Sequence, residues 1–222
     1  MKYTQSSPKD TFLNLPEDKR GRIVREALLE FAGQGYQRAS LNNIVKRLGI
    51  AKGSVYRYFE NKDALFLYIF DCFTAKVKQF VRENVSDRIE SDFLHKVRQV
   101  LRAGVDFIGR YPDYYQIYLK VLFEPNVPHR EQLLHQVRLF SIDYFGPLCK
   151  QAQSAGQIRR DISLPMIIFL LDAVIDRFLQ GYAKPYIDLG LGLSEMNSDE
   201  LDKEIDSIIE VLRCGLMPAQ GR

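Results

Sequence analysis

SLNNIVKRLGIAKGSVYRYFENK, residues Ser40 to Lys62, carries two apolar patterns of helical spacing separated by a glycine turn. Ser40 can cap a helix over about 41–48, and Gly49 stops it. A second helix follows over Lys52–Tyr58. Ile44, Val45 and Leu48 face inward from the first; Val55 and Phe59, four residues apart, face inward from the second. That leaves Lys52, Gly53, Ser54, Tyr56, Arg57 and Tyr58 outside. Helix, short turn with glycine, helix is the helix-turn-helix arrangement.

The outer residues suit DNA better than a core. The second helix of such a pair enters the major groove with its N-terminal end leading. Lys52 can reach a guanine edge or a phosphate, and Gly53 lets the backbone approach a base. Ser54 can hydrogen-bond a base or a phosphate, Tyr56 offers its ring to a thymine methyl group, and Arg57 and Tyr58 suit phosphate oxygens. Ser40 and Lys62 lie at helix N-termini, where anions bind readily. The competing reading is a solvated basic face with two packed tyrosines. It does not account for the glycine turn, the basic bias and the tyrosines together.

Charge is distributed in the same sense. Residues 1–70 hold 12 Lys/Arg against 7 Asp/Glu, a balance of +5, whereas the other 152 residues hold 19 against 21, a balance of −2. A basic head on a slightly acidic body fits a polyanionic partner at the head.

The chain of 222 residues, 46% hydrophobic, is predicted to be all-α, with about nine helices. Before Ser40, Ile23, Val24, Ala27, Leu28 and Phe31 form an apolar stripe that starts near Pro16 and ends at Gly33 and Gly35. After Lys62, Phe66, Phe70, Phe73, Val77 and Phe80 predict a long helix. Further helices are expected over about 87–110, 113–123, 129–154 with a kink at Gly146-Pro147, 165–184 and 199–216. The predicted division is a helix-turn-helix domain over 1–62, with an ordered core of about 16–62, and an effector-binding and dimerisation domain over 63–222. The helix over 165–184 is apolar on most faces. It needs either burial within its own subunit or a partner subunit, and a homodimer through the last two helices is favoured.

Other classes find little support. Cys72, Cys149 and Cys214 are widely spaced, and with His95, His129 and His135 they offer no metal-ligand or disulfide pattern. The N-terminus lacks the apolar stretch of a signal peptide, and the most apolar run, Met166–Leu171, is far too short to span a bilayer. A cytoplasmic protein without a membrane partner is expected. No catalytic residues, cofactor or metal are predicted, since no GxSxG, HExxH or Walker spacing occurs. A helical binding or adaptor protein on the same fold, without regulated DNA binding, is the alternative.

An aromatic excess follows residue 105. Phe107, Tyr114, Tyr115, Tyr118, Phe140, Tyr144 and Phe169 are candidates to line an effector pocket, against the simpler reading of core packing. Asp172 and Asp176 share one face of the most apolar helix and need partners. Arg159 or Arg160, a cationic ligand and water at a dimer seam are the options.

Residues 17–66 resemble the N-terminal domain of the TetR family of bacterial transcriptional repressors. Phe31–Tyr36 (FAGQGY) and Ser40–Leu65 carry the resemblance, most specifically Lys-Gly-Ser-x-Tyr-x-Tyr-Phe and the following Asn-Lys-Asp. The rest of the chain is similar only in being helical and of suitable length. The resemblance implies about nine helices with three in the DNA-binding domain, a homodimer pairing through its last two helices, a double-stranded DNA operator, and a small-molecule effector that weakens DNA binding. By motif position it assigns the DNA contacts to Ser40, Lys52, Gly53, Ser54, Tyr56, Arg57, Tyr58 and Lys62. Val45 and Leu48 stand where alanine is frequent in the family, Ile50 where valine is, and Arg57 occupies a variable position.

Overall fold

The structure, a computed structural model, describes residues 8–51, 53–85 and 92–217. Among these the secondary structure is helical throughout: α1 (Asp10–Leu13), α2 (Glu17–Arg38), α3 (Leu41–Leu48), α4 (Ser54–Tyr58), α5 (Lys62–Asn84), α6 (Phe93–Arg110), α7 (Pro112–Phe123), α8 (Arg130–Ser154), α9 (Leu164–Ala183) and α10 (Ser198–Leu216), with a 3-10 turn at Pro185–Ile187. The all-α expectation is met, with ten helices rather than nine. The additional one, α1, is a single turn, too short to leave a periodic signal.

The chain forms two compact units: residues up to Val77 together with Tyr111–Leu134, and Lys78–Arg110 together with His135 onward. The functional division expected at 62/63 is a different cut from this one.

In the first unit, α2 buries Ile23, Ala27, Leu28 and Phe31. It does not end at Gly33. It breaks at Gly35 (φ 70°, ψ 172°), a conformation open essentially to glycine alone, and resumes to Arg38. A side chain at Gly35 would collide with the Glu124 carboxylate, because α7 packs along α2. Phe31 and Tyr36 meet Phe66 of α5 at ring-centroid distances of 5.0 and 5.3 Å, and Phe73 stacks on Tyr118 of α7 at 5.9 Å.

In the second unit, α6 packs against α9 and α10. On the helix expected over about 87–110, Phe93, Val97, Leu101, Val105 and Ile108 are buried in the core. Gly104 lets Leu179 of α9 come so close that an added Cβ would stand 2.6 Å from it. Arg98 ties α6 to Asp202 and Asp206 of α10 at 3.2 and 2.6 Å. Helix α8 continues through Gly146-Pro147, where a kink was expected, and stays helical to Ser154. It closes on Gly156 (φ 74°) with Gln157 N–H bonded to Ala152 O and Gly156 N–H to Gln153 O, which satisfies carbonyls left open at a helix end. Helix α10 starts with a reciprocal capping box between Asn197 and Glu200.

Helix α9 buries Ile167, Leu171, Ile175 and Phe178, so it is covered on one side only. Met166, Phe169 and Leu170 are exposed. Burial all round within one subunit, one of the two options for this helix, is thereby ruled out.

Candidate nucleic-acid interface

The helix-turn-helix forms where the sequence placed it. Ile44, Val45 and Leu48 of α3 are buried, as are Val55 of α4 and Phe59 just beyond it. Gly49 adopts the left-handed conformation (φ 68°); its N–H bonds Lys46 O at 3.2 Å, and Ile50 N–H bonds Val45 O at 3.1 Å. Those two bonds end α3 and aim the chain into α4.

The expected cap on α3 is absent. Ser40 occupies the N-cap position without a side-chain bond. Its backbone N–H instead donates to Glu30 Oε1 of α2 at 2.9 Å, and the same carboxylate receives Asn43 Nδ2 at 3.1 Å and Arg47 at 2.8 Å. Glu30 is 4% exposed. Burial on its own would raise its pKa, but the hydrogen bonds from Ser40, Arg47 and Asn43 and the Arg47 charge outweigh that, and the carboxyl is held below its ordinary value. A buried acid from α2 therefore ties down the start of α3 through the Ser40 N–H and the Asn43 side chain, and places a negative charge at the positive end of that helix.

Tyr56, Arg57 and Gly53 are exposed and Ser54 is half-buried. Gly53 has ordinary right-handed dihedrals (φ −71°, ψ −13°), and a Cβ there would meet nothing within 4 Å. Among the described residues nothing requires glycine at this position. Tyr58 is less available than expected: it is half-buried, edge-on to Phe12 at 6.1 Å. Lys62 is half-buried too. Its Nζ donates to Gln37 O at 3.1 Å and lies 4.6 Å from the centre of the Tyr36 ring. Burial lowers its pKa, against the opposing charges of Asp63 and Glu30. Lys52 lies outside the described residues.

Sequence reasoning missed α1. Phe12 is fully buried against Phe59 and Tyr68, at 4.9 and 5.3 Å. Lys9 and Thr11 bond the backbone of α4. The only local signal was Phe12-Leu13 in an otherwise polar stretch.

The effector candidates fall in separate units. In the first, Tyr115 and Tyr118 are buried, 5.7 Å apart between ring centroids, and Tyr114 is half-buried beside Tyr111. In the second, Phe107 is buried against Phe80, while Phe140 and Tyr144 neighbour each other at 6.0 Å. Phe169 is 64% exposed on the outside of α9, which removes it from any cavity within that unit. Asp172 and Asp176 are held by neither Arg159 nor Arg160. Arg138 of α8 grips both, at 2.6 and 2.7 Å, and Ser141 Oγ donates to Asp172 at 2.6 Å. Arg159 pairs with Asp161, and Arg160 bonds the carbonyls of Gln153 and Ser154.

Among the described residues no group of three His, Cys, Asp or Glu side chains could hold a metal ion, and no helix is long and apolar enough to cross a membrane.

Two family models match the chain: bacterial regulatory proteins of the tetR family over residues 23–69, and the tetracyclin repressor-like C-terminal domain over residues 91–217. The probable acrEF/envCD operon repressor of Escherichia coli K12 is 22% identical over 206 residues, covering 91% of this chain and 88% of that protein. A TetR family transcriptional regulator from Chloroflexus aurantiacus is 28% identical, with a TM-score of 0.69, and the match covers 96% of this chain and 99% of that one. The regulator FadR from Bacillus subtilis, solved in complex with stearoyl-CoA, shares the fold at 16% identity and a TM-score of 0.68, covering 88% and 98% of the two chains. With a family model matching more than half its length and a glycine-turned helix-turn-helix at its head, the chain belongs to the TetR family of DNA-binding transcriptional regulators.

Proposed function

We propose that the protein is a cytoplasmic repressor that binds a near-palindromic operator as a homodimer and leaves it when a small molecule binds the body. In this reading residues 1–62 read DNA and residues 63–222 dimerise and sense the effector. The observation that carries it is the outer face of α4. Tyr56 and Arg57 are exposed above a buried Val55 and Phe59, next to a glycine whose missing side chain serves nothing among the described residues. A backbone that must approach a base edge supplies the reason for that glycine. The contacts are Ser40, Lys52, Gly53, Ser54, Tyr56 and Arg57, with Tyr58 and Lys62 in supporting positions set by their packing. Half-site centres are then roughly 34–36 Å apart or somewhat more.

Support for the dimer comes from α9 and α10. Met166, Phe169 and Leu170 leave an apolar face open on α9, and Val211 is 73% exposed on α10. Phe169 belongs to this seam in the proposal rather than to a pocket. For the effector, Asp172 and Asp176 already share Arg138 as a partner, so neither carboxylate needs a ligand to satisfy it. A small, mostly apolar molecule among the remaining aromatic candidates is the reading retained.

Fluorescence anisotropy against duplexes tiling the DNA that flanks the protein's own gene, over a salt series, tests this. Tight binding to one near-palindromic duplex is expected, lost by about 5- to 150-fold in Lys52→Ala/Tyr56→Ala. Equal, weak binding to every duplex, unchanged in that variant, would leave a helical binding protein without operator recognition. A thermal-shift screen then addresses the effector: an apolar hit should also lower operator affinity.

A further inference from the structure

Helix α4 has only five residues, and a helix this short has little stability of its own. The last four carbonyls of any helix lack intrahelical donors. In α4 all four are occupied. Val55 O accepts from Phe59 N–H at 2.8 Å. The other three are taken by the segment before α2: Tyr56 O by Lys9 Nζ at 2.8 Å, Arg57 O by Thr11 Oγ1, and Tyr58 O by Lys9 N–H at 2.9 Å. The Lys9 ammonium also stands at the negative end of the helix, where a cation is favoured.

That segment is itself fixed. Phe12 is fully buried between Phe59 and Tyr68, and Arg20 of α2 donates to Leu13 O at 2.8 Å. It lies before residue 23, where the match to the family's N-terminal model begins.

We propose that Lys9–Phe12 is a brace that positions the DNA-reading helix from its C-terminal end, so that Lys9 and Thr11 are specificity-determining positioning residues although they touch no base. This rests on α4 being the reading helix. Misplacing a reading helix costs base-edge contacts and leaves sequence-independent phosphate attraction largely intact. Loss of the brace should therefore lower discrimination between sequences more than affinity for DNA in general.

The test compares the parent, Thr11→Val, Thr11→Ser, Lys9→Met and Tyr56→Ala on two probes: the tightest-binding duplex of the tiled set and a scrambled duplex of the same composition. Salt slopes and melting curves are taken for each. Thr11→Val and Lys9→Met should each weaken the tight duplex by about three- to tenfold, one hydrogen bond's worth. The scrambled duplex should be unaffected, Thr11→Ser should restore binding, and the Thr11→Val salt slope should match the parent's. Parental discrimination in both variants overturns the brace. So does a Lys9→Met loss equal on both probes with the slope reduced by about 0.9 and Thr11→Val neutral, which makes Lys9 a phosphate contact. Losses that only follow a fall in melting temperature, without rescue by serine, make the segment merely structural. If Tyr56→Ala binds like the parent, the reading-helix assignment fails and the brace with it; if Tyr56→Ala alone loses binding, only the brace fails.

Discussion

Replacing Glu30 by glutamine keeps the shape of the residue that joins α2 to the helix-turn-helix and removes its charge. The remaining carbonyl oxygen can still accept from Ser40 N–H or Asn43, but an amide group now faces the Arg47 guanidinium. The loss is chiefly the charge-assisted bond to Arg47, about 1.5–3 kcal/mol in general. Arg47 is 41% exposed and keeps Glu26 at 2.8 Å, so the lower end applies, about 1.5–2 kcal/mol. Glu30→Ala removes all three bonds and leaves polar groups without a partner, for about 3–4 kcal/mol. For a chain of this size the glutamine variant should melt about 3–8 °C lower. The chain has no tryptophan, so urea unfolding is best followed by far-UV circular dichroism. Because Glu30 is held below its ordinary pKa, its contribution is complete above the unfolded value of about 4.3 and fades as pH falls through the folded one. The gap between parent and Glu30→Gln should be full at pH 7 and close as the medium is acidified past that range. A glutamine variant as stable as the parent at pH 7, or a gap that widens in acid, would refute the reasoning.

Gly35→Ala should cost about 1–3 kcal/mol from backbone strain, plus the collision with Glu124; unfolding midpoints of Gly35→Ala/Glu124→Ala should recover only the collision part. Gly104→Ala should destabilise the second unit by about 1–3 kcal/mol by pressing on Leu179, and in a Leu179→Ala background the same change should cost almost nothing in the same urea assay. Burial pushes the Cys72 and Cys149 thiols up to about 11, so at pH 8 only roughly one in a thousand is thiolate. Cys149, which is buried, should resist a disulfide-exchange reagent until urea opens the fold, with half-buried Cys72 reacting sooner, and rapid labelling of Cys149 in native protein would contradict its burial.

What the sequence showed and what it hid divide by distance along the chain. Ile44, Leu48, Gly49, Val55 and Phe59 specify the helix-turn-helix within sixteen residues, since periodicity and turn chemistry are local. The grip of Arg138 on Asp172 and Asp176 joins residues more than thirty positions apart, with nearer arginines as decoys, and no spacing rule selects it. Glu30 acting on the start of α3 from α2 was hidden likewise, while Ser40 carried the local signal for a side-chain cap that does not form. Gly35 was recognised as a breaker, but whether a glycine ends a helix or bends it depends on what packs beside it, here Glu124. The brace on α4 was invisible because one turn of helix has no period.

The first unit is assembled from two stretches separated by α6: α7 packs along α2, and its Tyr118 stacks on Phe73 of α5. This fixes an order of events during synthesis. The proposed reading helix emerges from the ribosome early, but the unit that contains it is finished only after residue 123 has followed. Until then the nascent head presents an open apolar side, which is the kind of surface that chaperones hold and that aggregates when they do not. A gene fragment stopped at residue 62 or 77 leaves the chain permanently at that stage. On the proposed function, the smallest self-sufficient DNA-binding piece therefore extends well beyond the motif that gives it away.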